Sequence, residues 1–369
     1  MNQSMKTDAI NRRTFLTRAA IAGGAALGAG LTTRAVAEVQ PSIYAKAEAA
    51  GFPKPKYIQT NGIRMAVYEQ GEGFPIVFSH GFPELGYSWR HQLPALAKAG
   101  FRAIAPDQRG YGRTDRPEKI EDYDIQHLTG DLAGLLDALK IEKAVFCGHD
   151  WGGAVVWQMA HLHPDRVAGV IAVNTPYMPR TPINPVDMLK QMRGDNNYIV
   201  YFQQPAVADT LLHDNVEKAF RAFLRKGLIT AEQFNKLPAN APERAFDIRA
   251  MIEQGQTQGQ LLVSEDELAY YVETFRDTGF TGPINWYRNI ERNWKTTEGQ
   301  SQKLEVPAMY VGAQDDVILP PAMQEATATL VPGLEQHVIG HCGHWTQQEK
   351  SEELNTLLIG WMTKRFRSA

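Results

Sequence analysis

Cysteine is nearly absent from this chain: Cys147 and Cys342 are the only two in 369 residues. That is too few for a disulfide framework or a four-cysteine zinc site. One Cys147–Cys342 bridge is the most they could form, and buried thiols are the expectation. No glycine-rich phosphate loop is present, so no nucleotide cofactor is implied. The pair His161-x-His163 suggests a metal, but positions two apart do not face one way on a helix, and Pro164 follows. Neither cofactor nor metal is therefore expected. Positive charge is not in excess either. The formal net charge is −3, and the first 37 residues hold Lys6, Arg12, Arg13, Arg18 and Arg34 against Asp8 alone. Without them the net falls to −7, which does not suit nucleic acid or an anionic membrane. No apolar run approaches the ~20 residues that span a bilayer. What the chain does have is 43% hydrophobic and 21% charged residues, a globular composition that excludes a disordered chain. Its length allows two domains, or one large core with an insertion.

The first 37 residues read as an address. Asn11-Arg12-Arg13-Thr14-Phe15-Leu16 precedes an apolar stretch from Ala19 to Leu31, and Ala35-Val36-Ala37 is a small-x-small cleavage pattern before Glu38. This layout resembles a twin-arginine export signal, which predicts a periplasmic or secreted protein with no stable membrane association after cleavage. Residues 38–56 read as an arm in which Pro41, Pro53 and Pro55 break any long helix.

From there the pattern alternates. Tyr57–Thr60 and Ile63–Tyr68 flank Asn61-Gly62, a two-residue hairpin signal. Short apolar runs follow at Ile76–Ser79, Arg102–Ala105, Ala144–Cys147 and Val167–Val173. Helical periodicity lies between them, as in Leu128, Leu132, Leu135, Leu136 and Leu139. Strand–helix–strand alternation predicts an α/β fold with a mostly parallel sheet covered on both faces. Four prolines between Pro176 and Pro185 then interrupt it with a stiff connector. Residues 186–293 read as helical, with capping boxes at Thr230/Gln233 and Ser264/Glu267. Strands return at Ala308–Val311 and Gln336–Ile339, and a last helix is expected over Glu349–Phe366. The organisation expected is a core of 57–178 and 294–369 with a helical cap at 179–293.

The chemistry concentrates where strands end. Gly148-His149-Asp150-Trp151-Gly152-Gly153 follows a strand and opens a helix, the G-x-nucleophile-x-G elbow with Asp in the nucleophile's place. A carboxylate with an ordinary pKa of ~3.9 is ionised at neutral pH and needs no base for its own attack. It is a weak nucleophile, so its target carbon must be strained or carry a good leaving group. The product is an ester that water must then cleave. That second step needs a base, and His344 in Gly340-His341-Cys342-Gly343-His344-Trp345 supplies one just after the last strand. Asp315 and Asp316 both follow the preceding strand, and one of them would hold the imidazole. His80-Gly81-Phe82-Pro83 ends an early strand. In folds with such an elbow, that loop and the residue after the nucleophile donate the oxyanion-hole N–H groups, here the amides of Phe82 and Trp151. Pro83 could adopt a cis peptide bond.

At these residues the chain resembles the epoxide hydrolases of the α/β-hydrolase fold, and among them the catalytic domain of the mammalian soluble form. The likeness runs from about Tyr57 to Trp361. It includes His80–Glu84, Gly148–Gly153, Asn174-Thr175-Pro176, Tyr201-Phe202-Gln203, Gly282–Asn289 and Cys342–Gln347. The resemblance implies a nucleophile at Asp150, a base at His344 and its acid at Asp316 rather than Asp315. It also implies two cap tyrosines that hold the epoxide oxygen, Tyr198 and Tyr287, with Tyr201 the alternative to Tyr198. The substrate implied is a small-molecule epoxide with water as co-substrate. A haloalkane or haloacid dehalogenase would share the elbow, with Trp151 as a halide donor, and a non-enzymatic secreted binding protein would share the scaffold. The tyrosine pair favours the epoxide reading.

Overall fold

The asparagine–glycine hairpin forms as the pattern dictates. In the computed structural model, which describes residues 42–226, 229–238, 241–255 and 259–366, Asn61 and Gly62 both take positive φ, 43° and 78°. They join β1 (Lys56–Thr60) to β2 (Ile63–Gln70) with Thr60 opposite Ile63. The expected export signal lies outside the described residues. Of the arm, Ile43–Ala49 is a helix whose first turn is capped by the Ser42 hydroxyl. Phe52 beyond it packs between Tyr68 and Tyr87.

Six further strands follow: β3 (Phe74–Ser79), β4 (Phe101–Pro106), β5 (Ala144–His149), β6 (Val167–Val173), β7 (Ala308–Ala313) and β8 (Glu335–Ile339). Each extends one or two residues past its apolar run or coincides with it. The sheet order is β1-β2-β4-β3-β5-β6-β7-β8. The pairs β1/β2 and β2/β4 are antiparallel and the rest are parallel. Helices Gln92–Lys98, Ile125–Ala138 and Trp151–Leu162 make the early crossovers. Strands β5 and β7 are buried along their whole length, as a sheet covered on both faces requires.

The topology determines where a site can form. The chain leaves β3 for β4 on one side and returns to β5 on the other. The carboxyl ends of β3 and β5 therefore flank the point where the winding reverses, the usual ligand crevice of open α/β sheets. Between β6 and β7 the described residues carry helices, and the isolated bridge Arg225–Leu261 is their one β-type pairing. Both expected capping boxes are present. Residue 293, the expected end of the helical segment, falls inside the helix Ile290–Thr296.

One element differs from expectation. The single helix predicted over Glu349–Phe366 is two, Thr346–Glu349 and Ser351–Phe366, with Lys350 between them at φ −131° and ψ 46°. The short first turn is drawn out of line by its own polar side chains. Glu349 accepts from the amide of Gly343, while Gln347 and Gln348 both donate to buried Glu84. The two cysteines are free and buried. Burial pushes the Cys147 thiol well above its ordinary value and Cys342 up to about 12.

Candidate active site

Asp150 stands at the tip of the turn between β5 and the helix Trp151–Leu162, at φ 53° and ψ −124°. A non-glycine residue in that region is strained, so its surroundings must hold it there. The glycines show how. A side chain at Gly148 would overlap the backbone of Gly152, and one at Gly152 would overlap the carbonyl of Ser79. The turn closes only because neither position has a Cβ. The Asp150 carboxylate does not cap its own helix. Instead Oδ1 accepts the amide of Phe82 at 2.9 Å. Phe82 is placed by the β3 loop, where Gly81 lies so close that any Cβ would strike Asp150. The Phe82–Pro83 peptide is cis. Trp151 is the first residue of the helix, so its amide is one of the N–H groups that find no acceptor within the helix, and the helix dipole favours negative charge beside it.

His344 follows β8. Its Nδ1 lies 2.9 Å from Oδ2 of Asp316, and its Nε2 lies 3.8 Å from Oδ2 of Asp150. Asp316 is fully buried and fully engaged: Oδ1 accepts the amides of Ile318 and Leu319, and Oδ2 also accepts Asn174 Nδ2 at 2.7 Å. Burial opposes its charge, but the His344 imidazole and these donors outweigh it and hold the carboxyl down at about 2. Asp315 points elsewhere and accepts the amide of Ala231 in the helical segment. Burial opposes the charged imidazole as well. The carboxylates of Asp316, Asp150 and Glu84 overcome it and lift His344 to about 9.

A buried polar group sits behind this row. Glu84 Oε2 contacts His149 Nδ1 at 3.1 Å, and His149 Nε2 donates to the carbonyl of His344 at 2.7 Å. His149, the residue before Asp150, thus holds the backbone of His344.

Above Asp150 the helical segment closes a cavity of about 120 Å3 lined by Asp150, His344, Tyr198, Tyr287 and apolar side chains that include Phe246, Met251 and Trp345. Tyr198 begins the short helix Tyr198–Tyr201, and Tyr287 lies on the helix Thr281–Arg288. Their rings are 5.8 Å apart. Burial, then the Tyr198 phenol and the Asp150 charge, push Tyr287 well above 10. Burial and Asp150 also raise Tyr198, against a hydrogen bond between the two phenols. Both are therefore protonated donors at neutral pH. Tyr201 is not in this wall, and Arg249 stacks on its ring at 4.9 Å.

The structure thus brings Asp150, His344, Tyr198, Tyr287 and Phe82 to one cavity, with Asp316 buried behind His344. His161, half of the metal-like pair, bonds the Tyr177 hydroxyl in the wall of a different cavity of about 400 Å3. Sequence reasoning did not single out the parts played by Asn174, Glu84 and His149. Asn174 stands just past β6 and takes φ 61°, a conformation that asparagine adopts more readily than most residues.

An eight-stranded, mostly parallel sheet with an acidic elbow after β5 and a histidine after β8 defines an α/β hydrolase, and the family model for the alpha/beta hydrolase fold matches residues 75–351. The relatives narrow this. Epoxide hydrolase A of Mycobacterium tuberculosis is 42% identical over 318 residues, which cover 85% of this chain and 98% of that protein. Bifunctional epoxide hydrolase 2 of Sus scrofa is 40% identical over 309 residues, 82% of this chain and 53% of that longer protein. Among solved structures, epoxide hydrolase A from Mycobacterium thermoresistibile superposes with a TM-score of 0.76 at 40% identity, covering 84% of this chain and 98% of that one. The chain belongs to the epoxide hydrolase family of α/β hydrolases.

Proposed function

We propose that the chain converts epoxides to vicinal diols through an ester on Asp150. The observation that carries this is the single cavity in which the Asp150 carboxylate faces the Tyr198 and Tyr287 phenols, with a histidine–aspartate pair beside it. Phe82 holds Oδ1, which leaves Oδ2 to form the bond to an epoxide carbon. The ring carbon–oxygen bond breaks as a phenol of Tyr198 or Tyr287 gives its proton to the departing oxygen, the donor's proton being replaced from solvent. A phenol is suited to this because it supplies a proton without carrying charge into an apolar site.

The ester is then cleaved by water, whose proton passes to Nε2 of His344. Negative charge develops on Oδ1, where the Phe82 amide already donates and the Trp151 amide completes the oxyanion hole. Collapse frees the diol and restores the carboxylate. The histidine's charge follows the cycle. In the free protein the Asp150 carboxylate helps keep His344 protonated. Esterification removes that charge, which lowers the imidazole's pKa and favours its neutral form when a base is needed. Asp316 keeps the ring oriented through Nδ1 throughout.

The test is turnover of a panel of aryl and alkyl epoxides and haloalkanes with diol and halide measured in parallel. Diol without halide, abolished in Asp150→Ala and cut about 100-fold or more in Tyr287→Phe, supports this reading. Halide without diol would move the chain to dehalogenation. The export reading rests on Arg12-Arg13 and Ala35–Ala37. It is tested by cell fractionation with and without the change of both arginines to lysine.

A further inference from the structure

The two cap tyrosines are not fixed by the same part of the molecule. The helix carrying Tyr287 is tied to the core. Trp286 Nε1 donates to the Arg109 carbonyl at 3.1 Å, Asn289 Nδ2 donates to the Ile120 carbonyl, and Gly282 packs on Gly110 so closely that a side chain would overlap it. Tyr198 has no such anchor. It starts a helix of four residues, too short to hold itself by its own hydrogen bonds. Asn197 caps that turn and reaches only as far as Ala245, also in the helical segment.

Two side chains bridge the gap. Arg288 follows Tyr287 and does not line the Asp150 cavity. Its Nε donates to the Phe202 carbonyl at 3.0 Å, and one Nη donates to the Gln204 carbonyl at 3.0 Å. The remaining N–H groups go to Asp209 and Asn285. All five donors of the guanidinium are used. The side chains of Arg288 and Asp209 are only 5% and 11% exposed. Gln203 makes a second bridge, with Nε2 donating to the carbonyls of Ile199 at 2.8 Å and Tyr287 at 3.1 Å. Between the bridges the Phe202 ring lies edge-on to both tyrosines, 5.6 Å from Tyr198 and 5.1 Å from Tyr287.

We propose that Arg288 and Gln203 are positioning residues that transfer the core's rigidity from the Tyr287 helix to Tyr198 and so set the separation of the two phenols. The proposal rests on the reading that those phenols hold the epoxide oxygen. Arginine is required at 288 because its fork reaches two carbonyls and a carboxylate at once. Lysine would keep the charge opposite Asp209 and lose the carbonyl bonds.

The phenols act in ester formation, while His344 and Asp316 act in ester cleavage, so the two half-reactions separate this role from a merely structural one. With styrene oxide as the probe, rapid quenching and intact mass spectrometry give the rate of ester formation on Asp150 and the rate of its loss. Arg288→Lys should slow formation about 10- to 100-fold and leave loss of the ester within about twofold. Gln203→Met should do the same to a smaller extent. In a Tyr198→Phe background, Arg288→Lys should add little, because both changes remove the same assistance. If the two rates fall together in both variants, or neither changes, the positioning role is overturned while Tyr198→Phe still reports on the phenols. If Tyr198→Phe and Tyr287→Phe leave ester formation unchanged, the reading of the phenols fails and this proposal with it.

Discussion

His344 Nε2 stands 3.8 Å from Oδ2 of Asp150, close enough for a charge contact and too far for a hydrogen bond. The imidazole is committed on its other side, where Nδ1 meets Asp316 at 2.9 Å. The two side chains are thus electrostatically coupled without being bonded. In the proposed mechanism this leaves Asp150 to attack and Nε2 to take a proton later.

The first consequence is a trappable intermediate. Attack by Asp150 needs no base, whereas ester cleavage does. His344→Gln should therefore form the ester at a rate near that of the unaltered protein and cleave it about 100- to 10,000-fold more slowly. Intact mass spectrometry after mixing with excess epoxide should show one adduct per chain, on the peptide containing Asp150. No adduct with an epoxide that the unaltered protein turns over would sink the two-step scheme.

The same coupling fixes a pH dependence. Asp150→Asn removes a negative charge that favours the imidazolium, so the His344 pKa should fall from about 9. NMR titration of the ring protons reads this directly. The sign for stability follows. A pKa raised in the folded chain above the ordinary 6.5 contributes stability that is complete below about pH 6.5 and is lost as pH rises through about 9. Melting curves from pH 6 to 10 should show His344→Gln losing less stability over that window than the unaltered protein. An equal loss in both would mean that other groups carry the dependence.

How far the sequence alone reaches is clearest at these residues. Strands β3, β5 and β6 were legible because buried parallel strands are unbroken apolar runs, and the elbow because a turn that sharp needs Gly148 and Gly152. The histidine was legible from its place after the last strand. Asp315 against Asp316 was not decided by pattern, since adjacent residues leaving a strand point opposite ways and only the packing says which faces inward. In the fold Asp315 meets Ala231 and Asp316 meets His344. Phe246 and Met251 reach the cavity from about a hundred residues beyond Asp150 in sequence, on a helical segment whose apolar positions pack equally well as core. The break at Lys350 was hidden because Gln347 and Gln348 read as surface residues, while in the structure they are buried against Glu84.

Gly81 offers a test of how Asp150 is placed. A Cβ there would run into the side chain of Asp150, forcing the carboxylate away from the Phe82 amide or the loop away from the sheet. Gly81→Ala should lower kcat/KM about 100-fold or more while the protein stays folded. Gly360→Ala is the control, because its Cβ meets nothing within 4 Å in the last helix. It should leave activity unchanged and add up to about 1 kcal/mol of stability. Full activity in Gly81→Ala would show that the close approach is not required.

Stability and chemistry should separate at Arg109 and Asp131. Arg109 Nε and Nη meet the two oxygens of Asp131 at 2.8 and 2.6 Å, and both side chains are almost fully buried. The pair fastens the loop after β4 to the helix Ile125–Ala138, and the Arg109 carbonyl receives Trp286 from the Tyr287 helix. The net value of an intact buried pair is small, because desolvation offsets most of its attraction. Removing one partner is different, since it leaves a buried charge uncompensated at a cost of about 3–5 kcal/mol. Asp131→Ala should therefore lower the unfolding free energy by that amount in a denaturant titration. Asp131→Asn, which keeps one acceptor for the guanidinium, should lose less. Neither change touches the Asp150 cavity, so ester formation and cleavage per folded molecule, measured well below the melting temperature, should stay within about threefold of the unaltered protein. A loss of activity that outruns the loss of folded protein would mean instead that the Arg109–Trp286 contact carries strain to Tyr287 through the helix it anchors.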